Sequence, residues 1–168
     1  MKNLTEVGIC LQLGINVNYV GGPGIGKSAA TDQLCELLGM YQRTVIATNY
    51  QPSDFNGLPG LVQKDGEVYC KLIPNEWAID VNNHLAQGQR CAVFFDEFCN
   101  AAPSVQGATL RGIHDGHWGD LLLDRKMCTY IIAGNPMELS AGGFDLSAPA
   151  ANRFAHYECV PNPEYWIH

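Results

Sequence analysis

The sequence predicts an α/β fold built around a parallel sheet, and three observations carry that prediction. Short runs rich in β-branched and aromatic residues recur along the chain. Three of those runs are almost continuously apolar, as strands covered on both faces must be. Between them lie segments whose apolar residues repeat with helical spacing, and strand alternating with helix is the signature of a layered α/β domain.

Taken in order, the first helix is expected over Leu4–Leu13 and the first strand over "NVNYV", Asn16–Val20. Six residues of Gly, Pro and Ile then lead into a second amphipathic helix, Lys27–Leu38. "RTVIAT", Arg43–Thr48, reads as the second strand. "LPGLVQKDGEVYCKLIP" alternates polar and apolar residues around Asp65-Gly66, which predicts a hairpin. A helix over Glu76–Gln87, a strand over Cys91–Asp96 and a helix over Ser104–Ile113 follow. "GIHDGHWGDLLLDRKM" is a weaker hairpin signal, and the last strands are "CTYIIAG", Cys128–Gly134, and "FAHYECV", Phe154–Val160. Pro161 and Pro163 end the pattern. There is no internal repeat and no linker, so residues 1–168 are expected to form one domain.

The bulk numbers narrow the function classes. Hydrophobic residues make up 46% and charged residues 16%, a globular composition. A net charge of -7 with scattered Lys and Arg argues against a nucleic-acid surface, which needs a basic stripe. The seven cysteines form no C-x-x-C pair. Cys10, Cys35, Cys91 and Cys128 stand in apolar surroundings and read as reduced core thiols of a cytoplasmic protein. "MKNLTEVGICLQLG" lacks the features of a signal peptide, and no run is long enough to cross a membrane.

The chemistry concentrates in "GGPGIGKS". Gly21, Gly26, Lys27 and Ser28 match G-x-x-x-x-G-K-[ST]. Glycine lets the backbone take positive φ and approach an anion closely, so Gly22, Pro23, Gly24, Ile25 and Gly26, with Ala29 at the helix start, are expected to wrap phosphates. Lys27 supplies a point charge to the β- and γ-phosphates of a nucleotide, and the Ser28 hydroxyl can ligate Mg²⁺. "CAVFFDEF" ends an apolar strand on two carboxylates: Asp96 is placed to hold the metal and Glu97 to act as general base. Asn135, after "IIAG", is positioned to orient water, and Arg153 to stabilise charge on a transferring phosphoryl group.

Loop, Asp-Glu, Asn-Pro and Arg-Phe in that order resemble the AAA+ ATPases. "DEFCNAAPSVQGATL" and "QPSDFNGLPG" are similar to segments of the MoxR-type branch. The first hairpin looks like that branch's helix-2 insert, and the "GHWG" region like its hairpin before the sensor strand. Asn100 stands where the branch usually has Arg, and Asn152 where it has Asp. The resemblance implies a P-loop NTPase three-layer sandwich with a five-stranded parallel sheet of order 5-1-4-3-2 and hairpin inserts. It also implies a hexameric ring with ATP between subunits, where Arg153 reaches the neighbour's nucleotide, and a remodelled protein client, often with a von Willebrand A-type partner. AAA+ proteins carry a helical lid after the Arg-Phe strand, and this chain stops before one.

Two other classes fit parts of the pattern. One is a nucleotide-dependent binding module that barely hydrolyses ATP. The other is a P-loop small-molecule kinase, for which the sequence offers no acceptor pocket and no Arg-rich lid. No N-K-x-D specificity loop is present for a guanine nucleotide. His114 and His117 lack partner ligands for a metal, Trp77 and Trp118 read as packing anchors, and Asp54 and Phe55 as a helix cap and staple. Tyr69 and Lys71 on the hairpin are pore-facing only by analogy.

Overall fold

A computed structural model describes residues 4–134, 144 and 146–159. Helix α1 (Leu4–Gln12) leads into β1 (Val17–Val20), and α2 (Lys27–Leu37) into β2 (Tyr41–Ile46). The short α3 (Pro52–Asn56) precedes the hairpin strands β3 (Leu58–Lys64) and β4 (Glu67–Ile73). Next come α4 (Glu76–Ala86), β5 (Cys91–Asp96) and α5 (Pro103–Asp115). The second hairpin, β6 (His117–Trp118) and β7 (Leu121–Leu122), precedes β8 (Cys128–Gly134), α6 (Ala148–Ala151) and β9 (Ala155–Glu158).

Five strands form one sheet in the order β2-β5-β8-β1-β9, every pair parallel. Numbering only these strands along the chain gives 5-1-4-3-2 read from the β9 edge, the order the resemblance implies. Alternation along β5 shows why both faces had to be apolar. Cys91, Val93 and Phe95 pack under α3, α4 and α5, while Ala92 and Phe94 pack under α1 and α2. The result is helix, sheet, helix. An aromatic layer fills one side: Trp77 and Trp118 meet edge to face at 4.8 Å, with Phe55, Phe95 and Tyr130 around them.

Two strand boundaries move inward or outward from the sequence expectation. β2 starts at Tyr41, because the Tyr41 amide joins the ladder through the Arg90 carbonyl at 2.8 Å and its ring stacks on His84. It ends at Ile46, and Ala47–Asn49 turn into a 3₁₀ helix that buries Ala47. β9 begins at Ala155 because Phe154 turns into the core. The Asp65-Gly66 hairpin forms as expected, with both residues at positive φ, 54° and 83°. Trp77 and Trp118 are buried anchors, and Asp54 caps α3 by accepting the Gln51 N–H at 2.7 Å. Among the described residues, no helix is long and apolar enough to cross a membrane, and no His, Cys, Asp and Glu cluster could hold a metal ion.

Candidate functional site

The site forms at the C-terminal edge of the sheet, where β1, β5 and β8 end side by side. The loop after β1 is fastened at its first residue. The Gly21 N–H donates to the Gly134 carbonyl at 3.3 Å. A Cβ on Gly21 would lie 2.8 Å from the Cys159 carbonyl and 2.5 Å from Ile25 Cδ1, so only glycine fits between β8, β9 and the loop. Gly24 needs glycine for another reason. Nothing crowds it, but its φ of 75° belongs to the left-handed region. Gly26 repeats that turn at φ 83° and is the N-cap of α2, where it offers no side-chain acceptor to the first helical N–H groups.

Lys27, at the start of α2, folds back over its own loop. Its Nζ donates to the Gly21 carbonyl at 2.7 Å and to the Gly22 carbonyl at 3.0 Å. Burial, the largest influence, lowers its pKa below the ordinary lysine value; Cys159 and the Asp96 carboxylate pull in the opposite direction. Ser28 Oγ donates to Asp96 Oδ2 at 3.0 Å, joining the loop helix to the end of β5. The other Asp96 oxygen, Oδ1, accepts the Glu97 N–H at 2.9 Å. Both oxygens of Asp96 are therefore engaged, and its orientation is fixed from two sides.

Glu97 is exposed and sits at φ 54°, one of two non-glycine residues among those described with positive φ. Strained backbone of this kind costs about 1–3 kcal/mol and concentrates at functional sites. Its carboxylate accepts a hydrogen bond from Thr48 Oγ1 at 3.0 Å. The sequence reading missed Thr48 because it placed that residue at the end of a strand. The chain turns into a 3₁₀ helix at Ala47, and this aims the hydroxyl at Glu97.

Pro23, Gly24, Ile25, Gly26, Lys27, Ser28, Ala29, Asp96 and Glu97 line one cavity of about 350 Å³. Asn100, Ala133 and Gly134 complete its wall. Gly22 does not line it; its contribution is the carbonyl that holds Lys27. Asn100, three residues beyond Glu97, enters through the 3₁₀ turn Phe98–Asn100. Arg153 is not in this wall, and its guanidinium donates to the Pro149 carbonyl. Asn135 lies outside the described residues.

No protein-family model matches the chain, and no curated protein matches it. Among solved structures it is similar to a protein from Cytophaga hutchinsonii named a "putative ATPase". The two are 20% identical with a TM-score of 0.62, and the match covers 99% of this chain. The fold is that of a P-loop NTPase. This chain spans 48% of the length of that structure.

The residues present fit a magnesium nucleotide. Two left-handed glycines and a helix start without a side-chain cap make an anion cradle. A hydroxyl and a carboxylate 3.0 Å apart form an oxygen pair suited to Mg²⁺. The cavity volume also falls within the range of small-molecule sites.

Proposed function

We propose that residues 1–168 are a single AAA+ nucleotide-binding domain of the MoxR-type branch, which binds and hydrolyses ATP and remodels a protein client from within a ring. The observation that carries the reading is the Ser28–Asp96 hydrogen bond at 3.0 Å, formed beside the loop that holds Lys27. It joins a hydroxyl on the loop helix to a carboxylate 68 residues away, in the pairing a P-loop enzyme needs for Mg²⁺. With the nucleotide bound, Pro23 to Ala29 would wrap the phosphates, with Gly22 beside them holding Lys27, which would neutralise them, while Ser28 and Asp96 would hold the metal. When bound, the metal would neutralise phosphate charge. Glu97 takes the proton of the attacking water, and Asn135 orients that water. Arg153 of one subunit stabilises charge on the nucleotide of its neighbour, a role favoured by its position outside its own chain's cavity.

That same position favours a second reading, a nucleotide-dependent binding module that hydrolyses little while alone. ATPase rate per protomer, measured against protein concentration with Arg153→Ala alongside, separates the two. A specific activity that climbs with concentration and collapses in the variant supports catalysis across subunits. Bound ATP without turnover supports the binding module. A substantial rate that ignores both concentration and Arg153 points to a self-contained phosphotransfer enzyme and overturns the proposal.

A further inference from the structure

α6 is a single turn, Ala148–Ala151, that gives way at once to β9, with Arg153 in the corner between them. A helix this short cannot hold itself in water. The Asn152 and Arg153 N–H groups donate to the Ala148 and Ala150 carbonyls at 3.2 and 3.0 Å. The other two carbonyls take side chains that reach back from beyond the turn. Arg153 donates to the Pro149 carbonyl, and His156 Nε2 donates to the Ala151 carbonyl at 2.9 Å. The Ala151 carbonyl also accepts the Phe154 N–H at 3.3 Å, so the corner closes around that one oxygen.

A carbonyl can only accept, so His156 Nε2 carries a proton, and Nδ1 of the neutral ring is an acceptor. It faces the side-chain amide of Asn18 at 3.1 Å, and that amide must therefore present its NH₂. Asn18 is a polar residue inside the sheet. It stands on β1 in register with His156, 3% exposed, between the core residues Val17 and Tyr19. Its Oδ1 is buried with no hydrogen-bond partner among the described residues. An unmet buried acceptor costs stability that an apolar side chain in the same place would not lose. What the amide gives in return is the bond that orients the His156 ring. β1 runs on from Asn18 through Val20 into the phosphate loop. Asn18 and His156 thus tie the strand that carries the loop to the turn that carries Arg153.

We propose that His156, oriented by Asn18, sets where Arg153 stands, and with it the reach of that arginine towards a neighbour's nucleotide. His156 is a positioning residue: it stands outside the cavity wall and acts through the Ala151 carbonyl. The proposal rests on the across-subunit role of Arg153 proposed above. A group that must meet a transferring phosphoryl is sensitive to a displacement of about 1 Å, and the loss falls on turnover rather than on ground-state binding.

Two readouts on the full chain test this. The first, amide hydrogen exchange, needs no nucleotide. The N–H groups of Ala151 to Phe154 all donate into α6 or its N-cap, Ser147. His156→Asn still offers Asn18 a partner but is too short to reach Ala151. Those four amides should then exchange about two- to tenfold faster, as loss of one hydrogen bond implies. His156→Gln carries an amide N–H at the reach of Nε2 and should restore wild-type exchange. β5 and β8 should stay protected in both variants, which shows an intact sheet.

The second readout is ATP turnover at a protein concentration where specific activity has levelled off, beside ATP affinity by titration. His156→Asn should lose turnover about ten- to a hundredfold with affinity unchanged. His156→Gln should recover most of that loss. In an Arg153→Ala background, His156→Asn should cost nothing further. Unchanged exchange in His156→Asn overturns the proposal. So does a turnover loss that His156→Gln fails to rescue, or one equally large when Arg153 is already replaced. Failure of the reading underneath looks different. An Arg153→Ala variant that turns over normally, or a wild type that binds ATP without hydrolysing it, removes the arginine's role, and the proposal with it, before any His156 variant is made.

Discussion

Replacing Lys27 by Met separates what this side chain does for the fold from what it does for a ligand. The substitution keeps a stem of similar length packed along the loop and removes the charge together with its two hydrogen bonds to the Gly21 and Gly22 carbonyls. Burial lowers the Lys27 pKa, so its ammonium is less favourable in the folded chain than in the unfolded one. The sign follows directly. As pH rises through the window between the lowered pKa and 10.5, the folded chain sheds this proton first, and stability gains from this group. Below that window the charge is a standing cost, only partly offset by the carbonyls of Gly21 and Gly22.

Lys27→Met should therefore melt at the same temperature as the wild type or higher. Its nucleotide affinity should fall. A unit charge about 4 Å from a phosphate charge contributes about 1–4 kcal/mol at dielectric values between bulk water and a protein surface. That corresponds to a loss of about five- to a thousandfold in affinity. Titration with a fluorescent ATP analogue, paired with a thermal melt, reads both effects. A dissociation constant changed by less than about threefold would refute the assignment of this loop to phosphate. A large drop in melting temperature would refute the claim that the charge is a cost in the empty site.

Three further outcomes are expected. Glu97→Gln should bind nucleotide as the wild type does and lose turnover by roughly 10²–10⁴-fold, because the amide cannot accept the proton; an unchanged single-turnover rate would remove Glu97 as base. Gly112→Ala should destabilise by about 1–3 kcal/mol, since its Cβ would lie 2.3 Å from Trp118 Cε2. Gly107→Ala on the same helix, where a Cβ meets nothing within 4 Å, should be neutral or stabilising, and equal melting temperatures for the two would count against the packing described. Alkaline pH should unfold the protein. Burial raises the Cys35 and Cys128 thiols from 9.0 to about 12 and Cys91 to about 11. The unfolded chain thus loses these protons first, and stability falls above pH 9 by about 1.4 kcal/mol per unit for each thiol. Urea midpoints that stay level from pH 8 to pH 10 would contradict this.

The elements that were legible in the sequence are those whose local chemistry and tertiary environment agree. β5 and β8 are buried on both faces, so their composition alone marks them, and their observed bounds equal the expected ones. The same holds for the start of α2, where Gly26 must be left-handed and Lys27 begins the helix. What was not legible depends on contacts between distant segments. The hydroxyl of Thr48 reaches a carboxylate 49 residues away, and no local pattern distinguishes it from a strand-end threonine. Asn100 enters the cavity wall only because Glu97 adopts positive φ and redirects the chain after β5. The contact of Gly57 with Gly119 joins two turns that each look ordinary alone.

The charges in the cavity wall set a further constraint. Among the described lining residues, Lys27 is the single Lys or Arg, and it shares the wall with two carboxylates, Asp96 and Glu97. The chain as a whole carries -7. A nucleoside triphosphate brings several negative charges into a wall that is itself one charge negative. Backbone N–H dipoles offset part of this, since a helix start is equivalent to roughly half a positive charge. Under the proposed function, the remainder would come from a divalent cation held by Ser28 and Asp96 and from a cation beyond the described wall. Nucleotide affinity should therefore depend steeply on free Mg²⁺, and turnover should need the further cation more than binding does, because charge on the leaving phosphates grows in the transition state. Arg153, held at the Pro149 carbonyl, is the cation whose removal tests that difference. A loss of turnover without loss of affinity in Arg153→Ala is the expected split, whereas equal losses in both would place its role in binding the ground state.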